Sequence, residues 1–159
     1  MVDRNQAIID YLSQCPYIYN SPLFFNFINA KNDNKQIVTV INDKIMDKTF
    51  IDGSIQKRFT FSIIDYKSIA YDAVVKQSGY VNENVEDMFN VQEIINWIDE
   101  QEALRNYPDF GNECVIDNIK ALSDNPNLNG VDNNASPSLA KYSVSIQVNY
   151  VDYSNTIWN

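Results

Sequence analysis

Residues Lys141 to Tyr150 read KYSVSIQVNY, and their alternation decides the fold class. Successive side chains of an extended chain point to opposite sides. Tyr142, Val144, Ile146, Val148 and Tyr150 therefore share one face, and Ser143, Ser145, Gln147 and Asn149 the other. One apolar face and one polar face is the pattern of an antiparallel sheet; a strand buried on both sides would be apolar throughout. Lys57 to Tyr66 repeats the pattern, with Phe59, Phe61 and Ile63 set against Arg58, Thr60 and Ser62. The aromatic run Leu23 to Ala30 (LFFNFINA) and the β-branched run Gln36 to Ile41 (QIVTVI) read as two further strands. The polar turn Lys31-Asn32-Asp33-Asn34 predicts that they form a hairpin. Cys114 to Leu122 is a fifth strand of less regular pattern.

Two segments carry the helical period instead. In Asp3 to Cys15, residues Ala7, Ile8, Tyr11, Leu12 and Cys15 lie on one face. Asp3 is placed to cap this helix, Gln6 stands where a capping box takes an amide, and Pro16 stops it. The second helix is written in VQEIINWIDEQEALRNYP, Val91 to Pro108. Asn90 is its expected cap, Glu93 the partner in the box, and Phe89 can staple to Ile94. Val91, Ile94, Ile95 and Ile98 form its apolar stripe, widened by Trp97 and Leu104, and Pro108 follows its end. Lys67 to Asp87 shows no clean period and reads as an irregular connection. Asp124 to Ser138 (DNPNLNGVDNNASPS) reads as a loop, broken by Pro126, Gly130 and Pro137. The order of helix, three strands, helix, two strands predicts a single α+β domain over residues 1–159. Its sheet is mostly antiparallel, of about five strands, flanked by two helices.

The composition narrows the chemistry. The chain has 159 residues, enough for one domain with a real core, and 45% of them are hydrophobic, which argues against disorder. Its 12 basic and 21 acidic residues leave a net charge of −9, and such a surface repels phosphate backbones. There is no histidine, so the commonest transition-metal ligand and the side chain that titrates near neutrality are both missing. Cys15 and Cys114 form no CxxC pair and are expected as free thiols in a reducing compartment. The first residues lack a signal-peptide pattern and no run reaches 18 apolar residues. Synthesis in the cytoplasm without a membrane partner is expected, and the sequon at Asn134-Ala135-Ser136 then carries no meaning.

Each candidate site has a plainer reading. Asn125, Asn127, Asn129 and Gly130 imitate the start of a calcium loop. The first position lacks a carboxylate, however, and the twelfth is Ser136. Asp99, Glu100 and Glu102 fall on the polar side of an amphipathic helix, where a solvated face is the better account. Cys114 has no histidine to activate it, and Trp97 reads as a core or interface residue. No catalytic, cofactor-binding or metal-binding residue is assigned, and the chain is expected not to be an enzyme. One segment stands out. Within Asn42 to Gln56, the residues Ile45, Met46, Phe50 and Ile51 are too apolar for a solvated loop, and Asp52-Gly53 marks a turn. These four are the expected contact with a neighbouring subunit or another protein. The competing reading tucks them under the domain's own sheet.

Taken together, the phrases AIIDYLSQCP, TFIDGSIQKRFTFSII, NVQEIINWIDEQ, YPDF, ALSDNPNLNGVD and LAKYSVSIQVNY occur in an order and spacing that resemble the tail terminator family of long-tailed bacteriophages. Proteins of that family are often labelled minor capsid proteins. The resemblance covers most of the chain and is weakest over Lys67 to Asp87. It implies a tube-protein-like fold and a structural virion protein at the head-proximal end of the tail. Such a protein forms a homohexameric ring that stops polymerisation of the tail tube protein and joins the tail to the head-completion protein of the neck. DNA would pass through the lumen without specific binding, and net acidity suits a wall that a moving polyanion must not adhere to. The alternatives are a tail tube subunit, a head-completion protein, or an interaction domain with no phage role.

Overall fold

The computed structural model of the chain describes residues 2–19, 23–25, 35–39, 48–68, 83–123, 127–132 and 139–156. Three helices and seven strands lie in this part. They are α1 (Arg4–Leu12), α2 (Pro16–Tyr19), β1 (Leu23–Phe25), β2 (Lys35–Thr39), β3 (Lys48–Thr49), β4 (Ile55–Ser68), α3 (Glu83–Leu104), β5 (Cys114–Ala121), β6 (Asn127–Asp132) and β7 (Leu139–Asp152). The fold is α+β with a mostly antiparallel sheet.

The sheet is organised around its two longest strands. β4 and β7, 14 residues each, pair antiparallel along their whole length, from Ile55 opposite Asp152 to Ser68 opposite Leu139. The main path runs β1-β2-β4-β7-β5, while β3 also pairs with β4 and β6 with β7. Each long strand thus carries two shorter ones along its outer edge. The alternation read from the sequence holds on both. Phe61 and Ile63 of β4 and Tyr142, Val144, Ile146, Val148 and Tyr150 of β7 are buried, and Phe59 packs against them half-buried. Ser62 and Ser145, opposite each other on the second face, share a hydrogen bond of 2.9 Å.

Both long helices lie against the apolar face. The core joins Ile8 and Leu12 of α1, Val91, Ile94 and Ile98 of α3, and the inward residues of β4, β5 and β7. Tyr11 meets Trp97 with ring centroids 5.2 Å apart, and Phe110 sits edge-on to both Phe59 (5.9 Å) and Tyr150 (5.1 Å). Such aromatic pairs add to the area they bury. Asp65 breaks the apolar pattern: it falls on the core-facing side of β4 and is fully buried.

Several expectations need correction. The strand count of about five falls short of seven, because β3 is two residues long and β6 lies in a stretch read as loop. β6 has the asparagines and glycine of a turn, yet it needs to pair on only one side, with β7, and it carries a bulge between Leu128 and Gly130. β1 and β2 do not form a hairpin; they pair in parallel, Leu23 beside Lys35. Apolar patterning identifies strands but says nothing of their direction. Residues 26–34, which held the expected turn, and 69–82, most of the stretch read as irregular, lie outside the described residues.

The helix boundaries also moved. α3 begins at Glu83, so Asn90 lies inside it and neither the capping box nor the staple marks its start. Asn costs a helix interior only tenths of a kcal/mol, so a cap signal can be overridden when packing extends the helix. Leu104, expected to widen the stripe, is exposed at the last turn. α1 does start at Asp3, whose carboxylate accepts from the Asn5 N–H at 2.9 Å. Gln6 instead donates to Asp10 (2.8 Å). Pro16 does not merely stop a helix; it opens α2, where its missing N–H is no loss.

Candidate functional site

The surface that stands apart is the tip of the β3–β4 hairpin. β3 pairs with β4 through Lys48–Gln56 and Thr49–Ile55, and Phe50 to Ser54 make the turn. The Phe50 N–H donates to the Ser54 carbonyl (2.8 Å), and the Gly53 N–H donates to the Phe50 carbonyl (3.0 Å). This is a three-residue hairpin loop closed by a residue in the left-handed region, which Gly53 supplies with φ +91°. A side chain at Gly53 would also strike the Asn155 carbonyl oxygen, 2.7 Å from where its Cβ would stand. Asp52 Oδ1 accepts from both the N–H (2.9 Å) and the hydroxyl (2.7 Å) of Ser54, and these bonds hold its carboxyl below the usual range.

A turn fixed by so many local bonds sets its side chains firmly. Ile51 is 104% exposed and so does not tuck under the domain's own sheet, while Phe50 is 37% exposed. The Lys48 ammonium lies 5.2 Å from the centroid of the Phe50 ring, a cation–π contact. Of the four residues expected as a contact, Phe50 and Ile51 are thus adjacent on one projecting tip. Ile45 and Met46 lie outside the described residues.

The base of the hairpin is anchored by a charged cluster that sequence reading missed. Asp152 faces Ile55 in the β4–β7 register and is 5% exposed. Its Oδ2 receives the Lys57 ammonium at 2.7 Å and lies 3.7 Å from the Arg4 guanidinium, while Oδ1 accepts from the Ser154 N–H at 2.9 Å. Burial works to raise the carboxyl's pKa, but the bonds from Lys57 and Ser154 and the charge of Lys57 outweigh it and hold it at about 2. Arg4 also covers the Tyr150 ring at 5.3 Å. One carboxylate therefore ties α1, β4 and β7 together. A signal was present only in the register, since Arg4, Lys57 and Asp152 are far apart in sequence.

A cleft of about 330 Å³ runs beside α1. Val2, Ala7 and Pro108 give it apolar walls, and Asp3, Asp10 and Asp109 line it with carboxylates. Tyr11 also lines it, and its buried hydroxyl has no hydrogen-bond partner among the described residues. Burial and the neighbouring Glu102 push that phenol well above its ordinary value, so it stays protonated and able to donate.

The remaining candidates resolve into structure. Asp99 and Glu100 are exposed, as a solvated face requires. Glu102 is not merely solvated: its Oε2 accepts from the Ile119 N–H of β5 at 2.8 Å, which occupies a donor on that strand's outer edge. Cys15 and Cys114 form no disulfide, and burial pushes the Cys114 thiol up even though Arg4 works the other way. Such a thiol is a poor nucleophile. Trp97 is buried against Tyr11. Asn127, Asn129 and Gly130 belong to β6, while Asn125 and Ser136 lie outside the described residues. Among the described residues no three His, Cys, Asp or Glu side chains are grouped to hold a metal ion. No helix among them is long and apolar enough to cross a membrane.

A scan against protein-family models finds no match for this chain, and neither does a search of the curated proteins.

Proposed function

We propose that this protein is a structural subunit of a phage tail, a tail terminator that forms a ring on the head-proximal end of the tail tube. The observation that carries the reading is the hairpin tip, where the fold leaves Ile51 wholly and Phe50 partly uncovered. Exposed apolar residues on a rigid projection are what a subunit needs when its work is to bind others. The same residues sit in TFIDGSIQKRFTFSII, one of the ordered phrases that resemble the terminator family.

In this reading the α+β fold is of the tube-and-terminator kind, and the ring is a hexamer. The tip contacts a neighbouring subunit or the tube end, and the opposite side of the ring receives the head-completion protein. DNA moves through the lumen of a protein whose net charge is −9, without a specific site. The protein acts by assembly and performs no chemistry, and its place is the virion tail.

The test is tube capping. Added to polymerising tail tube protein, the chain should shorten the polymers and be seen by electron microscopy at one end only. Incorporation along the tube would instead identify a tube subunit. Absence from tubes altogether would remove the tail reading.

A further inference from the structure

We infer that the hairpin tip of one copy docks into the cleft beside α1 of the next copy. The inference rests on the assembly reading above and names the two surfaces that meet. A ring needs a head-to-tail contact, in which two different patches of the same chain complement each other. The tip and the cleft are such a pair. The tip offers Ile51, fully exposed, and Phe50 with the Lys48 ammonium over its ring. The cleft offers the apolar walls of Val2, Ala7 and Pro108, and a rim of Asp3, Asp10 and Asp109.

Charge makes the pairing directional. Among the described residues no Lys or Arg lines the cleft, and each of its three carboxylates uses Oδ1 in a local bond, to Asn5, Gln6 and Gly111 respectively. A cation brought in with an apolar anchor suits that lining, and Lys48 arrives beside Phe50. Asp52, the acidic residue of the tip, has Oδ1 turned back onto Ser54. Cleft against cleft would set carboxylates against carboxylates, whereas the tip brings Lys48 to them. A loop tip is smaller than the roughly 800 Å² per partner of a stable pairwise interface. The contact is therefore weak between two free copies and gains strength by repetition around a closed ring.

The experiment is oxidative cross-linking in a Cys114→Ser background, with Cys15 left in place because it is buried. Ile51→Cys and Gln6→Cys variants are mixed at high concentration and compared with each variant alone. A disulfide dimer specific to the mixture is expected. No enrichment in the mixture, or equal self-linking of Ile51→Cys, would overturn the inference. Lys48→Glu should lower the cross-linking yield about tenfold, and Asp10→Lys in the receiving copy should restore it. Loss without restoration would also overturn it. Tube capping by the wild-type protein separates the two ideas. Capping without the cross-link removes the tip-in-cleft contact alone, and the cross-link without capping removes the tail reading alone.

Discussion

Asp152 offers the sharpest test of how the hairpin base is held. Replacing it with Asn keeps the shape and the acceptor for the Ser154 N–H but removes the charge that Lys57 and Arg4 face. The folded carboxyl sits at about 2, against an ordinary value of 3.8. Because the folded pKa is depressed, the stabilisation is fully present above 3.8 and is lost as pH falls through 2. A difference of this size is worth about 2 kcal/mol at pH 7, about 1 kcal/mol near pH 3, and about half a kcal/mol at pH 2. The carboxylate is 6% exposed while Lys57 and Arg4 are 29% and 32% exposed, so solvent screens the cations and about 2 kcal/mol is the upper end of the effect.

The assay is urea denaturation of wild type and Asp152→Asn at several pH values, read by circular dichroism. The difference between the two proteins cancels the titration of the other carboxylates. It should be at most about 2 kcal/mol from pH 5 to 7 and shrink steadily below pH 3.8. An equal difference at pH 2.5 and pH 7 would refute the electrostatic account and leave only a packing role for Asp152.

Three further outcomes are expected. Gly53→Ala should destabilise the fold by about 1–3 kcal/mol, because φ +91° is strained for alanine and the Asn155 carbonyl is backbone that cannot step aside; chemical denaturation measures it. Arg105→Gly should stabilise by about 0.5–1 kcal/mol, since Arg105 (φ 54°) occupies the left-handed position of a Schellman cap, with Arg105 N–H to Glu102 and Asn106 N–H to Gln101. Relief of that strain exceeds the added chain entropy, and a lower thermal midpoint would contradict this. Phe50→Asp with Ile51→Asp should leave the fold intact, at a cost of about 1–2 kcal/mol arising mainly at the partly covered Phe50, yet abolish tube capping; an unfolded double variant, or one that caps normally, would count against the tip.

The parts of this fold that the sequence made legible are those where one local pattern meets one environment. KYSVSIQVNY alternates because its strand has an apolar face against helices and a polar face away from them, and every inward residue predicted there is buried. The face of α1 is as clear: Ala7, Ile8, Tyr11, Leu12 and Cys15 are all buried. What escaped has a common cause. β6 owes its strand to a partner, β7, and not to its own asparagines and glycine. The start of α3 overrides a good cap signal at Asn90. The parallel pairing of β1 with β2 is a matter of direction, to which side-chain patterns are blind. The irregular look of Cys114 to Leu122 comes from a bulge between Ile116 and Asn118, which shifts the alternation by one residue. At the candidate site, Asp52-Gly53 announced the turn and the apolar residues announced the tip. The Asp152 cluster and the α1 cleft, assembled from distant segments, left no local trace.

The anchored base and the bare tip divide the labour of the hairpin. At the base, Asp152 draws Lys57 and Arg4 inward, so β4, β7 and the start of α1 move as one body. At the apex, the turn is closed by its own hydrogen bonds and Gly53 lies against the Asn155 backbone, while Ile51 has no cover. A tip held by local bonds on a rigid base presents its side chains already ordered, which spares a partner much of the entropic cost of fixing a loop. The two ends should then respond separately. Substitutions at Asp152 or Gly53 lower stability and affect assembly only through it, whereas substitutions at Ile51 affect assembly at constant stability. If tip variants lost stability in proportion to their loss of binding, the tip would be part of the core after all, and the functional reading would lose its footing.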